Sequence, residues 1–224
     1  LKSRQIEISN NRFDGGPNPW VLAIGPSRGS PDEVVEDVIV EGNYFKASPE
    51  TQIFALIWAP RVTARSNLLD SRASSAGFIS FLVDKRDTQP QSVDIRDNRI
   101  YNNTCYSGSL KALTCVVNGV SAVASSVYNN LIFAPTSQQR SLLADKGTGT
   151  SAAGNADPSL LPVPFMGPLD SPAGFRLIPG NPLADAGVMV GEAVYADFGG
   201  TLVHQGTAPS VGAWESGGAP LAPV

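Results

Sequence analysis

The chain has 224 residues, 42% hydrophobic and 16% charged, with 16 basic against 20 acidic side chains for a net charge of −4. That length and apolar content suffice for one large domain with a sizeable core. The acidic balance, the lack of a Lys/Arg cluster and the lack of an apolar run of about 20 residues exclude a nucleic-acid footprint, a polybasic anchor and a transmembrane helix.

The opening LKSRQIEISN carries no initiator Met and no apolar signal core, and it begins directly in a strand-like pattern. It reads as a processed or truncated piece of a longer protein. From there one phrase recurs: ISNNRFDGG, IVEGNYFKA, ARSNLLDSR, IRDNRIYNN and SVYNNLIFA. Taking Asn11, Asn43, Asn67, Asn98 and Asn130 as anchors gives separations of 32, 24, 31 and 32 residues. Two places after each anchor stands a large apolar residue: Phe13, Phe45, Leu69, Ile100 and Ile132. Three places before stand Ile8, Val40, Ala64, Ile95 and Val127, and five before stand Ile6, Val38, Val62, Val93 and Ser125. The residues between are mostly polar (Glu7, Thr63, Asp94 and Ser126, with Ile39 the exception), so the period is two and the element is a strand.

A second apolar stretch follows each anchor: WVLAIG, QIFALIW, GFISFLV, KALTCVV and, more weakly, RSLLADK. Each unit is strand, turn, strand and variable loop. A unit of that size cannot bury its apolar face alone, so successive units must stack. The reading is all-β: a right-handed parallel β-helix, a solenoid of about five coils with an asparagine ladder at a tight turn. Helical repeats are excluded by the missing 3.6 periodicity. A β-sandwich shares the short strands and turns but gives no reason for an in-register Asn-x-apolar column. No N-terminal cap is visible, so upstream chain or a protein partner is expected to cover the first coil. IFALIW and FISFLV are apolar at nearly every position, which predicts cover on both faces of that sheet by an N-terminal segment, a partner or sugar rings.

Cys105 and Cys115 suit either a disulfide closing a small loop or two buried unpaired thiols, and both readings stay open. The lone His204 is far from them in sequence, so no metal spacing appears. Residues 1–146 carry 15 basic and 14 acidic groups, residues 147–224 one and six, and the second segment holds 24 of the 40 Gly and Pro. Residues 1–146 are therefore read as coils, and 147–224 as an irregular C-terminal cap on the same domain, wrapping the open last coil. Within it GTGTSAAGN is linker chemistry, since no strand-to-helix context makes it a phosphate loop.

The repeated V-x-I-x-x-N-x-I/F phrase resembles the parallel β-helix repeat of the pectin-lyase-like superfamily. GNADPSLLP (154–162), GFRLIPGNPLADAG (174–187), ADFGG (196–200) and APSVGAWE (208–215) resemble, in order, the C-terminal cassette of exported bacterial β-helix proteins. Segment 36–86 is similar to the chondroitinase-B and alginate-lyase family. Gln52 stands where that family has an acid, Trp58 and Ala59 lie near its missing lysine, and its Arg-His-Gly is absent.

The resemblance implies a secreted, cell-surface or periplasmic polysaccharide-active protein, lyase-like on acidic, uronate-containing glycan. The alternative is a non-catalytic carbohydrate-binding or assembly module on the same scaffold. It also implies that substrate lies along the sheet built from the second strands. A uronate lyase neutralises the carboxylate and then needs a base for the C5 proton. VDKRD (83–87) is the densest charged stretch near that sheet. Lys85, Arg86, Tyr106 and Lys111 are then the catalytic candidates, Trp20, Trp58 and Arg61 the substrate contacts, and Asp84 and Asp87 the ligands of a Ca²⁺ ion.

Overall fold

A computed structural model describes residues 2–26, 33–85, 95–191, 195–203 and 208–216. Five coils of three strands each stack in parallel. The first coil is β1 (Lys2–Ser9), β2 (Arg12–Asp14) and β3 (Trp20–Ile24). The second is β4 (Val34–Glu41), β5 (Tyr44–Lys46) and β6 (Ile53–Ile57), and the third β7 (Val62–Arg65), β8 (Leu68–Asp70) and β9 (Phe78–Val83). The fourth is β10 (Arg99–Tyr101), β11 (Thr104–Tyr106) and β12 (Leu113–Asn118), and the fifth β13 (Ser126–Tyr128), β14 (Leu131–Phe133) and β15 (Arg140–Asp145). β16 (Ser151–Ala153) opens a sixth coil. The sheets run β1-β4-β7-β10-β13-β16, β2-β5-β8-β11-β14 and β3-β6-β9-β12-β15, so every pairing joins one coil to the next. This is the expected parallel β-helix, and its right hand is the one parallel crossovers take almost without exception.

The turn between the first and second strands carries the ladder, in a register that differs from the expected one at one rung. The rungs are Asn11, Asn43, Asn67, Asn103, Asn130 and Asn155, joined Nδ2 to Oδ1 at 2.9–3.1 Å. Each Oδ1 also accepts the backbone N–H of the rung below, for example Asn43 N to Asn67 Oδ1 at 3.1 Å. From Asn43 upward, each Nδ2 also donates to a carbonyl of the coil below: Ile8, Val40, Ala64, Ile100 and Val127. Asn98 is not a rung. It lies five places before Asn103, in the inward file of Val38 and Val62, where its Oδ1 accepts the Val62 N–H at 2.8 Å and its Nδ2 has no partner among the described residues. The left-handed residue is also not the ladder Asn but the one before it: Asn10, Gly42, Ser66, Asn102, Asn129 and Gly154, with φ between 51° and 65°.

Inside, Phe54 sits against Phe13, Phe45 and Phe81 at ring distances of 6.1, 5.2 and 5.8 Å. The continuous apolar look of the third sheet has a local cause. β9 and β12 bury residues in the order buried, partial, buried, buried, partial, buried. Two consecutive residues turn inward in β9 and β12, where only two files, such as Ile79 and Leu82, face out, whereas in β6 the matching Leu56 is buried as well.

Cys105 and Cys115 form a disulfide from β11 to β12 across the interior of the fourth coil. Reducing it should lower unfolding stability by about 3 kcal/mol, the loop-closure value for this separation. Urea titrations with and without reductant measure this, and a change under about 1 kcal/mol contradicts it.

Among the described residues the tail runs beside the coils rather than over the last of them, where the cap was expected. Its first part continues the helix through β16 and Asn155, past the expected boundary at 146. The rest folds down the outer face of the second sheet. Phe165, Phe175, Leu177, Val211, Ala213 and Trp214 pack on Tyr44, Leu68, Tyr106, Leu131 and Phe133. The residues preceding the rungs hold it there. Asn102 Nδ2 donates to Ser210 O and Asn129 Nδ2 to Val188 O, both at 2.8 Å, and Ser66 Oγ donates to Ala196 O at 3.0 Å.

Candidate functional site

A second file of left-handed residues runs six places before the rungs: Gln5, Asp37, Arg61, Asp97, Ala124 and Gly149, with φ between 52° and 70°. A non-glycine residue there costs about 1–2 kcal/mol. Before the rungs that cost is reduced by Gly and Asn. In this second file the chain instead keeps Gln, Asp, Arg, Asp and Ala. The stacked bends border a groove of about 760 Å³ over the outer face of the first sheet. Its other wall is the outward file Glu7, Ile39, Thr63, Arg99 and Ser126. The groove crosses five coils spaced about 4.8 Å apart, so it offers each coil's two outward residues in turn to an extended ligand.

Its electrostatics centre on Arg61. The guanidinium donates from Nε to Asp37 Oδ1 at 2.5 Å and from Nη2 to Glu36, which also pairs with Arg4. These hydrogen bonds raise the Arg61 pKa, and Arg61 in turn holds the Asp37 carboxyl below the usual range. Arg61 is therefore a fixed cation that cannot serve as a base. Glu7 and Asp97 are exposed, and their carboxylates form no ion pair with another described residue. The groove thus presents Arg61 and Arg99 as cationic contacts and Glu7, Asp37 and Asp97 as acceptors.

Of the described residues expected to form the site, only Arg61 lies in this groove. Lys85 follows β9 and Lys111 precedes β12. Those strands lie side by side in parallel, so the two lysines are at opposite ends of a strand about 20 Å long. Tyr106 belongs to the second sheet, 7% exposed, stacked on Phe133 and covered by Phe175 from the tail. Burial raises its pKa, with Arg72 opposing, so the phenol stays protonated near neutrality. Trp58 is 4% exposed, with Gly25 beneath its ring and its Nε1 donating to Pro26 O at 3.1 Å, so it offers no platform to a sugar. Trp20 is partly exposed in β3, paired with Ile53. Asp84 Oδ1 accepts the Lys85 N–H at 2.8 Å and the Ser121 N–H at 3.4 Å, the work of a turn. Arg86 and Asp87 lie outside the described residues. Among the described residues no three His, Cys, Asp or Glu converge as a metal site.

No protein-family model matches the sequence. No curated protein matches it either. Among solved structures the chain is similar to the crystal structure of pectate lyase Pel9A, at 14% identity and a TM-score of 0.43, over 93% of this chain. It spans 65% of that protein's length. Among the described residues no helix is long and apolar enough to cross a membrane.

Proposed function

We propose that the protein is an exported glycan-binding β-helix that holds an acidic polysaccharide lengthwise in the first-sheet groove, with Arg61 and Arg99 on its carboxylates. The observation that carries this is the strained file. Arg61 and Asp37 occupy left-handed positions that Gly or Asn would fill at lower cost, and both turn their polar groups to the groove. Backbone strain kept alongside polar chemistry is the pattern of a working surface. Asp37 and Glu36 occupy Nε and Nη2 of Arg61, which leaves Nη1 as its donor toward a ligand carboxylate. Export is supported by the disulfide, which persists in oxidising compartments. Binding is favoured over the expected β-elimination because no Lys, His or Tyr lines the groove among the described residues and Arg61 is locked in its protonated form.

The test uses oligomers of polygalacturonate and alginate against uncharged cello-oligosaccharides in titration calorimetry, followed by absorbance of unsaturated product. The acidic oligomers should bind, more weakly as salt rises. Arg61→Ala should weaken binding about tenfold, the value of a charge-assisted hydrogen bond. Ala124 already holds the same backbone conformation two steps along the file, so the variant should fold. Unchanged affinity of the acidic oligomers in Arg61→Ala, or acidic binding that rising salt leaves unchanged, defeats the proposal. Appearance of unsaturated product restores the lyase.

A further inference from the structure

The C-terminal segment forms a second cleft of about 570 Å³, away from the groove. Met166, Ile178 and Pro179 form an apolar rim, with Met166 59% and Ile178 41% exposed. At its centre Trp214 is 8% exposed, with Phe198 5.2 Å from its ring and the Arg176 guanidinium 4.6 Å from its centroid. The Trp214 indole N–H is buried and has no acceptor among the described residues. A buried donor without a partner costs about 1–3 kcal/mol, so it calls for an explanation.

The surrounding acids divide into two kinds. Asp197 is consumed by its own loop: it accepts the N–H groups of Gly199, Thr201 and Glu215 at 2.8, 2.6 and 2.8 Å. Glu215 accepts from Ser210 N and Oγ, both at 3.1 Å. Asp185 is exposed in a left-handed turn, and its carboxylate makes no hydrogen bond to another described residue. The cleft therefore offers a ligand the Arg176 fork as donor and Asp185 as acceptor, beside an apolar rim, with the Trp214 N–H an unsatisfied donor buried in its wall.

Charge narrows the ligand. An anion would face Asp185, Asp197 and Glu215 with only Arg176 in compensation. A cation would find one face of the indole already taken by Arg176. A neutral ring with hydroxyls on its edge and C–H groups on its faces meets every feature: it accepts from the indole and guanidinium, donates to Asp185 and lies on the rim. We propose that this cleft is a second carbohydrate site that takes an uncharged sugar residue, with Trp214, Arg176 and Asp185 as its polar contacts. It is separate from the groove and independent of what the groove binds.

The test is protein-observed NMR on the intact chain, titrated with neutral gluco-, manno- and xylo-tetraoses. The indole N–H resonance lost in Trp214→Phe identifies the reporter. It should shift and saturate with at least one probe while those of Trp20 and Trp58 stay in place. Trp214→Phe and Arg176→Ala should each weaken binding about tenfold, the scale of one hydrogen bond. Arg61→Ala should leave binding unchanged. The proposal is overturned if none of the three probes moves the resonance, or if either cleft variant binds like the parent while thermal melts show it folded. Loss of binding in Arg61→Ala likewise overturns it, because the groove would then be the only site.

Discussion

Replacing Asn103 with alanine should destabilise the protein by about 3–6 kcal/mol, whereas the same change at Asn98 should cost about 1–2 kcal/mol. Asn103 Nδ2 donates to Ala64 O, Tyr101 O and Asn130 Oδ1, and its Oδ1 accepts the Asn67 N–H and Nδ2. Removing it strands donors and acceptors in two neighbouring coils, all beyond the reach of water, and each carries a desolvation penalty. Asn98 accepts only the Val62 N–H, and its own amide nitrogen is already without a partner among the described residues. Deleting it loses one bond and removes one buried orphan. Urea unfolding of both variants decides the matter, and equal losses would mean that Asn103 is not a rung.

The same pair shows where the sequence stops being legible. In IRDNRIYNNT both Asn98 and Asn103 are followed two places on by a buried apolar residue, Ile100 or Cys105, and Ile100 is the better match to Phe45 or Leu69. Pattern alone chooses Asn98 because it cannot see that Ile100 belongs three places before a rung, alongside Val40, Ala64 and Val127. Asn155 was hidden for a related reason. It is followed by Ala156 and Asp157 inside a Gly-rich tail, so no apolar partner advertises it. The three-residue strands after each rung are too short to show alternation. What was legible was the stacking itself, because four of the five anchors and the inward files repeat chemically.

The site was less legible because its defining feature is a backbone angle rather than a residue type. Gln5, Asp37, Arg61, Asp97, Ala124 and Gly149 share φ and nothing else. Once the rungs are known, the six-residue offset finds them at once. The doublets Asn102–Asn103 and Asn129–Asn130 also become readable: the second asparagine faces the interior ladder, and the first holds the tail. Charge density near a strand end, which pointed to Lys85 and Arg86, was a weaker guide, because Asp84 spends its carboxylate on turn N–H groups.

Phe54→Ala should cost about 3–5 kcal/mol, the range for a fully buried aromatic whose site cannot collapse. Phe54 is 0% exposed and touches rings from three coils: Phe13 in the first, Phe45 in its own and Phe81 in the third. In a solenoid each coil is held mainly by its neighbours, so the damage should stay local. The fourth coil is cross-linked by Cys105–Cys115, and the tail clamps the third to fifth through Ser66, Asn102 and Asn129. Among the described residues the first coil has neither restraint, and the second meets the apolar cluster of the tail through Tyr44 alone. Hydrogen exchange in Phe54→Ala should therefore speed up in β1 to β6 while β10 to β15 keep their protection, and urea unfolding should split into two steps. Phe54→Leu, which refills part of the cavity, should recover part of the loss. Uniform acceleration across all five coils would show that the stack unfolds as one unit and that the disulfide and the tail confer no regional stability.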